Sequence, residues 1–273
     1  VTRRVTRCAL RRAARRLPRR GAALMLVLWL VVVLASVGAA VAVHARRASR
    51  ATENLRAGAV ARYAAESGVE ATLASLESAL AAREASSARA ALLNAAPRAP
   101  ATPGPQALGD ARFQVAVVDA SARLDLNLAG EEALAALFAQ LGAPDGGRTA
   151  ARAIQRWRGA EGARDSRSGP AAPARRRDLR SVDDLARVPG VSPELARAAA
   201  PYLTVDGDGR LNEAAAAAPV RAAARGERVG APTRLILVSR GWLVGSPLTH
   251  EIQAVYAVRG GRLAFVRWRE RVL

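Results

Sequence analysis

The sequence predicts an α+β protein in which a long N-terminal transmembrane helical spine leads into an antiparallel sheet, and an all-α insertion interrupts that sheet. Three observations predict it. Residues 22–43 (AALMLVLWLVVVLASVGAAVAV) carry no charge. Alternating, β-branched segments stand at 113–119 and again at 234–240, 251–259 and 262–269. Between those two groups, residues 131–203 change to the three-to-four period of short amphipathic helices.

As a helix, the 22–43 run would be about 33 Å long, enough to cross a bilayer core. Soluble core helices seldom run this far with one Ser as their only polar residue. A cleaved secretory signal is the competing reading; its apolar region would span about 7–15 residues before a small-residue site, and the Ala-rich stretch near Gly38 imitates one. Nine arginines and no acid occupy the first twenty positions, whereas only Arg46, Arg47 and Arg50 follow the run closely. That asymmetry predicts a single pass through the inner membrane, N-terminus cytoplasmic and body periplasmic.

Past the span, Val69, Leu73, Leu76 and Leu80 recur at steps of three and four after Tyr63, with Glu66, Glu70, Glu77 and Arg83 on the remaining surface. Residues 44–96 therefore extend the spine into one long rod, kinked or relaxed near Gly58 and Gly68. The Pro-, Ala- and Gly-rich segment 97–110 ends it as a linker.

The net charge of +19 points toward nucleic acid. Two features point away from it. All 42 basic residues are Arg, with no Lys, the mark of a compositional bias; and setting the nine leader arginines aside leaves +10 on the whole remainder. No specific nucleic-acid binding is expected. The single cysteine, Cys8, lies in the same basic stretch, so neither an internal disulfide nor a CxxC site exists. Aromatics make up 4% of the chain, and a core of Ala, Leu and Val offers no aromatic-lined ligand pocket.

In the body, Gly260-Gly261 marks a two-residue hairpin between the last two strands. Residues 111–130 and 204–273 are expected to pair as one antiparallel sheet, with 131–203 inserted as a helical domain. Helical segments are read at 131–141, 148–157, 181–187 and 192–202. Asp183 and Asp184 favour the first turn of one, and Ser192-Pro193-Glu194 opens another with a cap and a first-turn proline. Val188-Pro189-Gly190-Val191 is a tight turn between them, and 159–177 reads as a loop.

The junction Arg19-Arg20-Gly21-Ala22-Ala23-Leu24 resembles a prepilin-peptidase site, which is cut on the cytoplasmic side before the apolar segment. The resemblance implies a leader of residues 1–21, cleavage after Gly21 and a mature chain beginning at Ala22. Pilins usually place Glu five residues into the mature chain, where it neutralises the amine of a neighbouring subunit. Here that position is Leu26, which suits a subunit at a filament tip with no amine above it.

The run from Asp178 through Ser181, Asp183, Asp184, Leu185, Val188, Pro189 and Gly190 to Tyr202 resembles the K-type minor pseudopilin of type II secretion systems, the general secretion pathway protein K family. Asn54-Leu55-Arg56-Ala57, Gly68-Val69-Glu70, Asp125-Leu126-Asn127-Leu128, Pro201-Tyr202-Leu203, Leu211-Asn212, Gly241-Trp242 and Trp268 follow in that family's order. The resemblance implies a pilin-like sheet, a SAM-like insertion and a role in assembly: capping the tip of the periplasmic pseudopilus and helping to start it. The implied partners are the I- and J-type minor pseudopilins, the major pseudopilin, the prepilin peptidase and the inner-membrane secretion platform.

Trp157 is followed by Arg158, where the family usually has an acid, and the Asn-rich run after Leu211 shrinks to Asn212. Family members can bind calcium near the tip, so the resemblance leaves calcium open while naming no ligand; no other cofactor is expected. Asp206-Gly207-Asp208-Gly209 offers two carboxylates but nothing at the later positions of a calcium loop, and reads as a turn. Two other readings remain: a type IV pilus minor pilin, and a membrane-anchored helix-hairpin-helix DNA receptor built on the VPGV turn. The second would want a glycine where Ser192 stands. Catalysis has little footing: His44 and His250 are isolated, and Ser246 lacks a nucleophile elbow.

Overall fold

The computed structural model describes residues 20–98, 104–164 and 177–273. Cys8 and nearly all of the leader, the middle of the 97–110 segment and most of the 159–177 loop lie outside the described residues. The chain divides into two compact units between Asn54 and Leu55.

Helix α1 (Arg20–Ala81) runs through that boundary. In the first unit its apolar stretch has a mean hydropathy of 2.8, and none of that stretch is buried. By length and composition it can cross a membrane.

In the second unit α1 turns small residues to the sheet: Ala57, Ala61, Ala64, Ala65 and Val69 are buried. The helix continues through Gly58 and Gly68 without interruption and stops at Ala81, so Gly68 does not end it. Gly68 serves packing instead: a Cβ there would lie 2.8 Å from the Phe113 ring and 3.0 Å from Val115. The last carbonyls of α1 are capped by arginines, with Arg83 donating to Ala79 O at 2.5 Å and Arg89 to Leu80 O at 3.4 Å. Helix α2 (Ser86–Ala95) follows the break.

The segment read as a linker contains a strand, β1 (Gln106–Leu108), which pairs with β2 (Ala111–Asp119) around Gly109, at φ +56°. A turn leads to the two-residue β3 (Leu124–Asp125) and then to α3 (Glu131–Gln140) and α4 (Arg148–Arg164). Residues 182–187 form a 3₁₀ helix rather than an α-helix, opened by a capping box between Ser181 and Asp184. Helix α5 (Pro193–Ala199) is capped by Ser192, whose Oγ accepts from the Leu195 amide at 3.1 Å. Short elements follow: β4 (Leu203–Thr204), β5 (Leu211–Asn212), α6 (Ala218–Ala223) and β6 (Arg228–Val229). Three long strands close the chain: β7 (Arg234–Leu243), β8 (Thr249–Arg259) and β9 (Arg262–Val272).

The main sheet has the order β1-β2-β7-β8-β9, antiparallel throughout. Its central pairing, β2 with β7, joins strands separated by the whole helical region. One face carries Phe113, Val115, Leu235, Leu237, Ile252 and Tyr256, packed with α1 in a single core. The helical region has its own core, centred on Leu134, Leu137 and Phe138 of α3 and Ile154 of α4. That core extends past Leu203: Leu211, Ala216 and Val220 pack into it.

Candidate functional site

The apolar stretch of α1 is the first candidate surface. Gly21 and Ala22 lie in the opening turn of the helix. Leu26 is 68% exposed among other exposed aliphatic side chains. An uncharged run of this length exposed on every side needs lipid or neighbouring apolar helices around it.

The second candidate is the helical region, whose attachment to the sheet decides which surface it presents. Asp125 organises the turn after β3: Oδ1 accepts from the amides of Asn127 (2.7 Å) and Leu128 (3.0 Å), and Oδ2 from Gly207 (2.7 Å). Burial raises its pKa despite those donors. Asn127 clamps Leu179 in both directions, accepting from its amide at 2.8 Å and donating to its carbonyl at 2.9 Å. Arg158, the departure noted after Trp157, is buried and donates to the carbonyls of Leu126 and Ala129, each at 2.8 Å. The departure thus fills carbonyls of the Asp125–Ala129 turn. Arg177 stacks 3.9 Å above the Trp157 ring.

The region is fastened to the sheet by charge. The Asp206 side chain is 3% exposed and its two oxygens are taken by Arg267 and Arg269 of β9. Arg269 also donates to Arg180 O at 2.6 Å. On the other side, Asn212 donates to Asp119 Oδ2 at 2.7 Å and Asn94 Oδ1 at 2.8 Å, joining β5 to β2 and α2. Burial raises the Asp119 pKa, against hydrogen bonds from Ser121, Asn212 and Ala122. None of these partners was legible in the sequence. They lie far apart along the chain, and only the Asp-Asn and Leu-Asn pairs hinted that a polar turn was being built.

These contacts bear on calcium. Asp206 faces two guanidinium groups, Asp125 faces three amides, and Asp208 accepts from Thr233 Oγ1 at 2.9 Å and the Arg210 amide at 3.2 Å. A calcium ion needs six to eight converging oxygens. The carboxylates of this turn are already filled by N–H and O–H donors, so they do not fit the ion. Among the described residues no group of three or more His, Cys, Asp or Glu is placed to hold a metal.

At the VPGV turn, Gly190 has φ +100° and the Val191 amide closes on Val188 O at 3.1 Å. A Cβ on Gly190 would lie 3.2 Å from Ala153 Cβ, so the turn rests on α4. His250 Nε2 lies 3.0 Å from Glu270 Oε2, and Arg62 of α1 bonds the same carboxylate at 2.7 Å. Ser246 Oγ accepts from the Leu248 amide at 3.3 Å.

With this geometry in place, comparison with known proteins becomes specific. Residues 111–207, the span from β2 through the helical region, match the family model described as type II secretion system (T2SS), protein K. A chain of the crystal structure of the GspK-GspI-GspJ complex from the enterotoxigenic Escherichia coli type 2 secretion system shares the fold. Its TM-score is 0.52 at 12% identity, covering 82% of this chain and 99% of that one. No curated protein matches by sequence. The family match covers about a third of the chain, and the solved structure shows a shared fold.

Proposed function

We propose, from the protein K match and the shared fold, that this chain is a minor pseudopilin that caps the tip of a periplasmic pseudopilus and helps to start its assembly. The observation that carries this reading is the helical region threaded between β2 and β7, in the span that the family model covers. A bulky insertion on one end of a pilin-like body blocks the addition of another subunit above it. Subunits below can still pack along the spine.

The apolar stretch of α1 would anchor the chain by a single pass in the inner membrane, N-terminus cytoplasmic and body periplasmic. The prepilin peptidase would cut between Gly21 and Ala22. Leu26 would leave the capping subunit without the carboxylate that pairs with an amine above. The partners at the tip would be the I- and J-type minor pseudopilins, as in the complex whose fold is shared. The major pseudopilin would lie below, and the inner-membrane platform would extract the assembly from the bilayer. The role is assembly rather than catalysis.

The test is reconstitution. Detergent-solubilised full chain is mixed with its I- and J-type counterparts and sized by chromatography with light scattering. A stable complex holding one copy of this chain is the expected result. Long fibres formed by this chain alone would remove the capping role, and salt-resistant duplex DNA binding lost on Gly190→Val would favour the DNA receptor.

A further inference from the structure

A groove beside the docking contacts of the helical region lies between the turn after β3, the start of α3 and the loop around Gly207, Gly209 and Gly226. Its rim holds Arg123, Arg210 and Arg225. Among the described residues, the Arg210 side chain is held by a local contact of 3.4 Å to Asp208 and the Arg225 side chain by a bond of 3.0 Å to Ala222 O. Arg123 is half-buried, its amide donates to Ala120 O at 3.2 Å, and its guanidinium forms no hydrogen bond or ion pair with any described residue. Desolvation by burial lowers its pKa, only partly offset by the charge of Asp119. The one acid in the groove, Asp125, spends its carboxylate on three backbone amides. Three arginines therefore line a groove whose one carboxylate is already occupied. The start of α3 adds to this, because its N-cap Gly130 lines the groove and supplies no side-chain oxygen.

Beside the arginines the groove is apolar. Leu124 and Leu211 lie at its base, and Leu128 stands 52% exposed on its edge. We propose that this groove receives a carboxylate side chain from an aliphatic, acidic segment of a protein partner, with the carboxylate on Arg123 and the neighbouring apolar side chain against Leu128. An arginine fork matches a carboxylate in two parallel hydrogen bonds. A nucleic-acid strand fits less well, because no aromatic side chain lines the groove to stack a base. The site stands on its own geometry, whether or not the chain caps a pseudopilus.

The test uses the full chain in detergent micelles with ¹⁵N-labelled glycine, since Gly130, Gly207, Gly209 and Gly226 line the groove. The probe is an acetylated Leu-Glu-Leu-Glu peptide amide, compared with its Gln counterpart and with inorganic phosphate. Saturable shifts of these four glycine signals with the Glu peptide alone are expected. Arg123→Gln should weaken that binding about tenfold, as loss of a charge-assisted pair does. If Arg123→Gln disturbs all the glycine signals, the exposed pair Arg210→Gln with Arg225→Gln decides, and should weaken binding in the same direction. Equal binding of the Gln peptide, equal shifts with phosphate, unchanged affinity in the variants, or no shift at all would each overturn the proposal.

Discussion

Single residues set how closely α1 lies on the sheet. A Cβ on Gly241 would come within 2.2 Å of Ala61 O and 2.4 Å of the Ala65 amide nitrogen, and neither backbone atom can give way. Gly241→Ala should therefore cost about 1–3 kcal/mol. Gly58, on the same helix, meets nothing within 4 Å, so Gly58→Ala should instead stabilise by about 0.5–1 kcal/mol through helix propensity. Thermal unfolding of both variants reads the opposite signs.

Glu251 is a second such residue. Its side chain is 1% exposed and bonded by Arg240 (2.7 Å), Gln253 (2.9 Å) and Arg271 (2.7 Å). Burial works against its ionisation, yet these partners hold its pKa below the ordinary carboxylate value. Its stabilisation is therefore complete above the unfolded value of about 4.3 and is lost as pH falls through the lower folded value. Glu251→Gln should lower the melting temperature at neutral pH, and the gap to the parent should close below about pH 4.

Among the elements, β9 does the most joining. Glu270 reaches Arg62 of α1, Arg271 reaches Glu251 of β8, and Arg267 and Arg269 hold Asp206 of the helical region. A β-bulge beside Val255 and Tyr256 interrupts the β8–β9 register near Val266, just ahead of all four of these residues. Replacing both Arg267 and Arg269 by Gln strands a buried carboxylate, which costs about 3–5 kcal/mol. Hydrogen exchange should then quicken around residues 179–206, while β2, β7 and β8 keep their protection. Because those arginines and the backbone amides fill the carboxylates, added calcium or chelator should leave the melting temperature of the parent chain unchanged. A clear rise with calcium would show oxygen ligands outside this turn.

At the scale of the molecule, the separation of a sheet core from a helical core gives the body two kinds of surface. The sheet core packs on α1, and the chain leaves for the helical core after Asp119 of β2 and returns at Arg234 of β7. In the proposed assembly the first serves contact along the filament and the second closes it. Peptide sequencing of the membrane-extracted protein should begin at Ala22. A start beyond Gly38 would mean removal of the apolar segment as an ordinary signal, leaving a body with no anchor. Leu26→Glu should allow this chain to take internal positions in a pseudopilus more readily, read as more than one copy per filament. Binding of duplex DNA by the parent chain should be weak and should collapse as salt rises, as expected of scattered arginines.

The sequence by itself determined the apolar span, the four long strands and the order of motifs from Asp125 to Trp268, because each rests on local periodicity or short-range spacing. Helix α3 could be read to within a residue, since its apolar face repeats within ten positions. Tertiary structure alone decided the rest. Strand β1 formed in a Pro- and Gly-rich stretch because β2 offered it an edge, and residues 182–187 wound as 3₁₀ after the capping box at Ser181. Arg158, Asp206, Arg267, Arg269 and Arg123 became legible only once the fold had closed. The same guanidinium group is a solvated charge, a carbonyl clamp or an unmet cation according to which distant atoms the packing brings beside it, and no local pattern encodes that distance.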